Sequence, residues 1–351
     1  MSFRDDFFRT LNHEKPSEVP FDLRLCDSLM AVLKEKNSDN PSEYFDSGFR
    51  RVSIKPTKYP IDYTPYFEGL EKVDTITEWG LGLRGGSMYH FTSFIAPMQN
   101  FTSPEEVWNF PIPDVMADYR WEGFDENIKK LKEQGFVTMN DEDSLGIDIF
   151  EPAWYVRGLD NLLVDMKIDP DMAAACLDRM TDIRCKMVER LGRAKLDVLI
   201  TGDDVGTERG MMLDPELWRY WLKPRLGKVI ETAKSAYSEI KVFYHSDGVI
   251  YDIIDDLIEI GVDILNPIQP ECMDPVLLKE KYGDRLSFWG AIGTQTTMPF
   301  GTPEEVTSVV NELIEKVGYN GGLILAPTHM LLPEVPWKNI EAFVNAVKAN
   351  K

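Results

Sequence analysis

From about residue 119 the chain alternates helix-like and strand-like segments. Nothing else in the sequence restricts the fold as strongly. Helix-like stretches at 119–134, 169–191, 214–235, 250–260, 275–282 and 302–317 precede apolar runs at 136–140, 197–201, 241–244, 263–266, 286–289 and 323–326. A last helix-like stretch spans 337–349. Such alternation over more than 200 residues implies a mostly parallel sheet covered by helices. A doubly wound sheet and a barrel both satisfy it. No phosphate-binding glycine loop opens the first unit, and polar residues follow many different strands, as around a ring. The expected fold is therefore α/β, a distorted (β/α)8 TIM-like barrel with an irregular leading segment packed on it. The expected organisation is one domain over 1–351. Residues 1–118 form the leading segment of short strands and helices, and 119–351 form the regular repeats.

Local signals support this reading. Asp169-Pro170, Asp214-Pro215-Glu216 and Thr302-Pro303-Glu304-Glu305 each place a capping side chain before a proline at the first helical position. Thr302 and Glu305 fit a capping box. Met172, Cys176, Met180, Ile183, Met187 and Leu191 recur at helical spacing and predict a packed face. Trp79-Gly80-Leu81-Gly82-Leu83-Arg84-Gly85-Gly86 reads as a turn-rich ribbon. Its glycines lack the spacing of a dinucleotide loop.

A net charge of −21 argues against nucleic acid or an anionic membrane as a partner, because phosphates would be repelled. The four cysteines, Cys26, Cys176, Cys185 and Cys272, form no CxxC pair and no disulfide framework, which fits a reducing cytoplasm. The start lacks the apolar region of a signal peptide. No stretch approaches the roughly 18 apolar residues of a membrane span.

The chain has only four histidines, and two of them end apolar runs. His245 closes Lys241-Val242-Phe243-Tyr244, and His329 follows Leu323-Ile324-Leu325-Ala326-Pro327-Thr328. The other two, His13 and His90, are expected to be structural or surface residues. In a barrel, catalytic groups sit at the carboxyl ends of the strands. His245 and Asp247, two apart at a strand end, can face one cavity, and His329 can join them from the last strand. His245, Asp247 and His329 then make a candidate triad for zinc or another divalent metal, with Glu151 or Asp204 as a further ligand. Alternatively, His245 and Asp247 are a hydrogen-bonded pair in a metal-free polar pocket. Asp203 and Asp204 are adjacent, so only one is expected to face the mouth. Trp154, Tyr155 and Arg157, beside Glu151, suit an apolar pocket with polar anchors. Gln269, Asp203 and Arg24 complete the expected substrate-binding set. His245, Asp204 and Glu151 are the expected catalytic groups.

These residues resemble the uroporphyrinogen decarboxylase superfamily. The resemblance covers nearly the whole chain. It is strongest in Gly202-Asp203-Asp204-Val205-Gly206, Pro215-Glu216-Leu217-Trp218, Lys223-Pro224-Arg225, Tyr244-His245-Ser246-Asp247-Gly248, Gly261-Val262-Asp263-Ile264-Leu265-Asn266-Pro267-Ile268-Gln269 and Gly321-Gly322-Leu323-Ile324-Leu325-Ala326-Pro327-Thr328-His329. It implies a distorted barrel with a deep cleft at the carboxyl end of the strands. One branch removes acetate carboxylates from a tetrapyrrole without a cofactor and carries a leading motif of the type Arg-Gln-Ala-Gly-Arg-Tyr. Here the matching segment reads Pro20-Phe21-Asp22-Leu23-Arg24-Leu25, with one arginine and an added aspartate. The other branch comprises zinc methyltransferases that move a methyl group between a corrinoid protein and an acceptor. Their zinc motif is His-x-Cys with a further Cys near the last strand. His245 matches the histidine, Asp247 stands at the first Cys position, and His329 stands near the second.

The resemblance therefore implies a small-molecule methyltransferase. Its cofactors would be a divalent metal such as zinc and a corrinoid carried by a partner protein, and a homodimer is the common assembly. Thiolates help zinc activate a thiol acceptor. With both sulfur positions exchanged, an O-methyl or N-methyl compound is the expected reactant. The alternatives are a cofactor-free decarboxylase, with a carboxylate and a histidine as proton donors, and a non-catalytic corrinoid- or tetrapyrrole-binding protein. Passive binding does not need so many titratable groups at strand ends.

Overall fold

The computed structural model describes residues 2–86 and 92–350, so His90 lies outside the described residues. Seven strands form one parallel sheet in chain order. They are β1 (Phe49–Val52), β2 (Val137–Asn140), β3 (Val198–Gly202), β4 (Lys241–His245), β5 (Ile264–Asn266), β6 (Ser287–Ile292) and β7 (Leu323–Pro327). The sheet curls on itself, because all seven strands send side chains into one interior cluster. Phe49, Val137, Met139, Val198, Ile200, Phe243, Ile264, Trp289, Ile324 and Ala326 belong to it. Residues one step away, such as Leu199, Val242, Tyr244, Leu265 and Leu325, pack outward under the helices. The period of two along each strand creates both layers.

Helix Phe3–Leu11 plugs the amino-terminal end of this interior. Phe7 is fully buried among the strand residues and packs edge-on against Phe49 and Trp289. Phe7→Ala is expected to cost about 3–5 kcal/mol of stability, through lost transfer energy and the cavity left behind. Denaturant unfolding measures this, and a loss below about 1 kcal/mol would mean that the plug contributes little.

The leading segment reaches the far edge of the sheet but forms no strand there. Phe21 bridges Leu325 and Leu25 bridges Leu331, each through a single parallel bridge. Asp22 N donates to the Leu325 carbonyl at 3.0 Å, and Leu325 N donates to the Pro20 carbonyl at 2.9 Å. Pro20 has no N–H, and the Phe21 carbonyl accepts from the Ser47 hydroxyl at 3.0 Å, so a longer ladder does not develop. Elsewhere in the leading part, helices occupy Asp27–Glu35 and Pro104–Asn109. An antiparallel ribbon joins Thr75–Ile76, Gly82–Gly85 and Thr92–Ile95.

The capping signals act where the sequence placed them. Asp169 accepts from Met172 N, Asp214 accepts from Glu216 N, and Thr302 with Glu305 closes a reciprocal capping box. The helical stretch at 214–235 divides into Pro215–Trp221 and Lys223–Ala236. The division comes where Pro224 has no N–H to continue the first helix. The stretch at 119–134 begins its α-helix only at Phe124, after Gly123 at φ 79°. No helix among the described residues is long and apolar enough to cross a membrane.

Candidate functional site

The inward row of side chains changes character at the carboxyl ends of the strands. Two residues beyond Phe49, Phe243, Ile264 and Ala326 stand Arg51, His245, Asn266 and Thr328. All four line a cavity of about 310 Å³. Ile200, Phe243, Trp289 and Ala326 give it apolar walls, and Arg24, Glu142 and His329 also line it. Period two thus carries one wall of the interior from a packed core to a polar cavity without a break.

His245 is brought close to the β3 end by a missing side chain. A Cβ at Gly202 would lie 2.4 Å from the His245 carbonyl oxygen and 2.7 Å from its Cβ, so only glycine permits this approach. After His245, Ser246 is buried and its hydroxyl accepts from Val205 N at 3.2 Å, tying the β3 and β4 loops together. Asp247 N then donates to Asp204 Oδ1 at 2.8 Å. The chain turns away at Gly248, which has φ 81°.

As a result His245, Asp204 and Asp247 converge. His245 Nε2 lies 3.7 Å from Asp204 Oδ1 and 3.9 Å from Asp247 Oδ1. Among the described residues, this trio is the group of His, Cys, Asp and Glu whose potential ligand atoms all lie within 4.8 Å of one another. On the far side of the ring, His245 Nδ1 lies 2.5 Å from Asn266 Oδ1. Asn266 Nδ2 in turn donates to the Trp289 carbonyl at 2.8 Å. Burial pulls the His245 imidazole down. Asp247, Asp204 and the Asn266 hydrogen bond outweigh it, and the net shift is upward. Asp247 is raised by burial, with the His245 charge opposing and Asp204 adding to the rise.

A second layer of carboxylates stands behind Asp204. Glu151 Oε2 accepts from Asp204 N at 3.3 Å, and Glu151 Oε1 accepts from the Tyr155 hydroxyl at 2.7 Å. Burial and the Asp204 charge raise Glu151 above its ordinary range. Burial, then the Glu151 charge, push Asp148 up to about 7 against the Arg184 guanidinium. This folded value exceeds the unfolded one of about 3.9, so the fold favours the neutral acid. Stability must then fall as pH rises from about 4 to about 7. Asp148→Asn is expected to remove that loss and raise Tm by a few degrees at about pH 8, with little change near pH 4. Calorimetry across this range checks it, and a variant with the wild-type pH slope would contradict the assignment.

The expected site residues fall in several places. His245, Asp247, Asp204 and Glu151 come together as described. Arg24 lines the cavity and pairs with Glu142. His329 is exposed at the rim, its ring centroid 6.5 Å from that of His245, and it also borders a neighbouring cavity of about 450 Å³ with Asp247 and Gln269. Gln269 is buried and accepts from Gly248 N at 3.3 Å. Trp154 and Tyr155 pack on Phe94, with ring centroids 5.8 and 4.6 Å apart.

Two of the expected substrate contacts, Asp203 and Arg157, have partners within the protein. Asp203 is buried, and its carboxylate accepts from Ile149 N at 3.1 Å and Glu151 N at 2.8 Å, so it holds the start of helix Phe150–Arg157. Arg157 is buried against Asp165 at 2.7 Å and donates to the carbonyls of Met98 and Phe101 at 2.8 and 2.9 Å. Both side chains are engaged with the protein itself.

Sequence reasoning missed Arg51, Asn266 and Trp289. Arg51 pairs with Asp22 at 2.8 Å on the cavity wall. Placing it requires recognising β1, which begins at Phe49. Asn266 was visible as a polar residue ending an apolar run. Its role depends on lying opposite His245 in the β4–β5 register.

The model of the uroporphyrinogen decarboxylase (URO-D) family matches residues 150–350, more than half of the chain. No curated protein sequence matches the chain. Among solved structures, a methyltransferase from Methanosarcina mazei superposes with a TM-score of 0.70 at 18% identity, covering 99% of each chain. A GH10 endoxylanase from a sugarcane soil metagenome gives a TM-score of 0.41 at 7% identity, covering 68% of this chain and 86% of its own. An endo-1,4-β-xylanase from Caldicellulosiruptor owensensis gives 0.37 at 13% identity, covering 66% and 84%. Strand-end residues Asp204, His245 and Asp247 all fall within the family match, and the chain belongs to the uroporphyrinogen decarboxylase (URO-D) family.

Proposed function

We propose that this protein is a small-molecule methyltransferase of the URO-D family, moving a methyl group to or from a corrinoid carried by a partner protein with the help of a divalent metal. One observation carries the reading: His245, which lines the cavity, brings its Nε2 together with the Asp204 and Asp247 carboxylates. The Methanosarcina mazei protein of the same fold is named a methyltransferase, which agrees with it. In this reading residues 20–25 supply the eighth stave of a (β/α)8 barrel.

The donor set fits a metal of borderline hardness. Zn–N and Zn–O bonds of about 2.0–2.2 Å put two ligands of one ion within about 4 Å of each other. The separations of 3.7 and 3.9 Å from His245 Nε2 are too long for hydrogen bonds and meet that limit. His245, Asp204 and Asp247 would hold the ion, and His329 would stand at the rim beside it. A bound divalent ion polarises the heteroatom that carries the methyl group.

The chain's own residues then have defined work. Phe243, Trp289 and Ile200 keep water from the buried end of the cavity and pack the apolar part of a reactant. Glu151, raised above its ordinary range by burial and the Asp204 charge, stands behind Asp204 as the candidate acid–base group. Asp203 fixes the helix that carries Glu151.

The decarboxylase alternative fits less well. A tetrapyrrole polyacid needs free cationic anchors. Both cavity arginines already have carboxylate partners, Arg24 with Glu142 and Arg51 with Asp22. The cavity of about 310 Å³ also lies at the small end of the ligand-pocket range of about 300–1,000 Å³. The test is to incubate purified protein with zinc, a reduced free corrinoid and a panel of methyl ethers and methylamines. Methylation of the corrinoid with release of the demethylated compound is expected. Carbon dioxide release from a tetrapyrrole acid without methyl transfer would overturn the proposal.

A further inference from the structure

We infer that Asn266 is a positioning residue that fixes His245 as its Nδ1–H tautomer, leaving the Nε2 lone pair aimed between Asp204 and Asp247. The inference deepens the proposed function, since it explains how the imidazole is prepared for a metal. The tautomer itself, however, can be read without any metal.

The Trp289 C=O can only accept a hydrogen bond. An Asn266 amide nitrogen lies 2.8 Å from it. Turning the amide over would set two oxygens against each other in a site where Asn266 is only 8% exposed. The amide orientation is therefore set by its partner, and Asn266 Oδ1 must face His245 Nδ1, 2.5 Å away. An amide oxygen cannot donate, so Nδ1 carries the hydrogen. In the neutral ring Nε2 is then the unprotonated nitrogen.

This arrangement opposes the local charge. Asp204 and Asp247 lie 3.7 and 3.9 Å from Nε2 and would draw the proton to that side. A proton there would occupy the lone pair that a metal needs. Asn266 holds the hydrogen on the opposite nitrogen. Register supplies the geometry: Asn266 and His245 are direct partners across β5 and β4. Buried hydrogen-bond partners of this kind orient ligating imidazoles and raise metal affinity by about 10–100-fold.

The test is nitrogen NMR of the full-length protein labelled at histidine, without added metal and at alkaline pH. The His245 signals are assigned by their loss in His245→Gln. The expected wild-type spectrum shows Nδ1 protonated and Nε2 unprotonated, and an Nε2–H tautomer would overturn the inference. Asn266→Leu should shift His245 toward Nε2–H and weaken zinc binding, titrated with zinc alone, by about 10–100-fold. An unchanged tautomer in that variant would also overturn it. Asn266→Asp keeps an oxygen acceptor at Nδ1 and should retain the wild-type tautomer. A merely structural asparagine would lower Tm in both variants and leave the tautomer alone. Should Asn266→Leu fail to fold, the wild-type spectrum still decides. An Nδ1–H tautomer in a wild type that takes up no zinc would sink the metal reading and leave this one standing.

Discussion

His245→Ala is expected to reduce methyl transfer by at least about 1,000-fold, equivalent to about 4 kcal/mol of transition-state stabilisation, while the fold survives. The size of the effect follows from position. The imidazole is the nitrogen donor of the convergent trio, and its removal leaves two carboxylates facing each other without a cation. The backbone of β4 does not depend on the ring. Its ladder to β3 runs through main-chain pairs, and Ser246 and Asp247 are held by their own hydrogen bonds. Circular dichroism and Tm near wild type should accompany the loss. Because the imidazole sits among Asp247, Asp204 and Glu142 charges, removing it should also raise neighbouring carboxylic acids further. A variant retaining a tenth or more of wild-type activity would remove His245 from the reaction.

Asp204→Asn and His329→Ala are expected to separate sharply in zinc affinity. The first should weaken binding by about 100-fold or more, because it removes one of two charged oxygen donors beside Nε2 and leaves Asp247 alone. Its own fold contribution is modest. The Asp204 side chain accepts one hydrogen bond, from Asp247 N, which the asparagine oxygen can also accept. His329→Ala should cost less than about tenfold. The His329 ring is exposed and lies outside the trio, with its centroid 6.5 Å from that of His245. Competition titrations against a chromophoric chelator give both numbers. A larger loss for His329→Ala than for Asp204→Asn would restore the His245, Asp247 and His329 set suggested by the sequence alone.

Some of the fold and of the candidate site was legible in the sequence and some was not. Six of the seven strands and the helix caps were legible, because each rests on local periodicity or on one capping side chain. Asp169, Asp214 and Thr302 cap where they stand in the sequence. The split between Asp203 and Asp204 was legible for the same reason, since adjacent residues at a strand end point opposite ways. The partners of long side chains were not. Arg157 finds Asp165 across the break at Gly158, and nothing in the local spacing distinguishes that pair from a substrate anchor. Choosing between Asp204 and His329 depends on how closely two loops approach. That distance is set by the absent side chain at Gly202 and by the Ser246 bond to Val205. Asn266 became visible only once the β4–β5 register put it opposite His245. The charge state of the cavity arginines likewise needed Asp22 and Glu142, which are remote in sequence from Arg51 and Arg24 respectively.

The central proposal is a metal site without sulfur, formed by His245, Asp204 and Asp247. X-ray absorption at the zinc edge, on zinc-loaded protein with metal content determined in parallel, tests it most directly. The account predicts one zinc per chain, bound by nitrogen and oxygen donors that include one imidazole and no sulfur, and lost in His245→Ala. Sulfur in the first coordination shell, or zinc retained equally by His245→Ala, would contradict it.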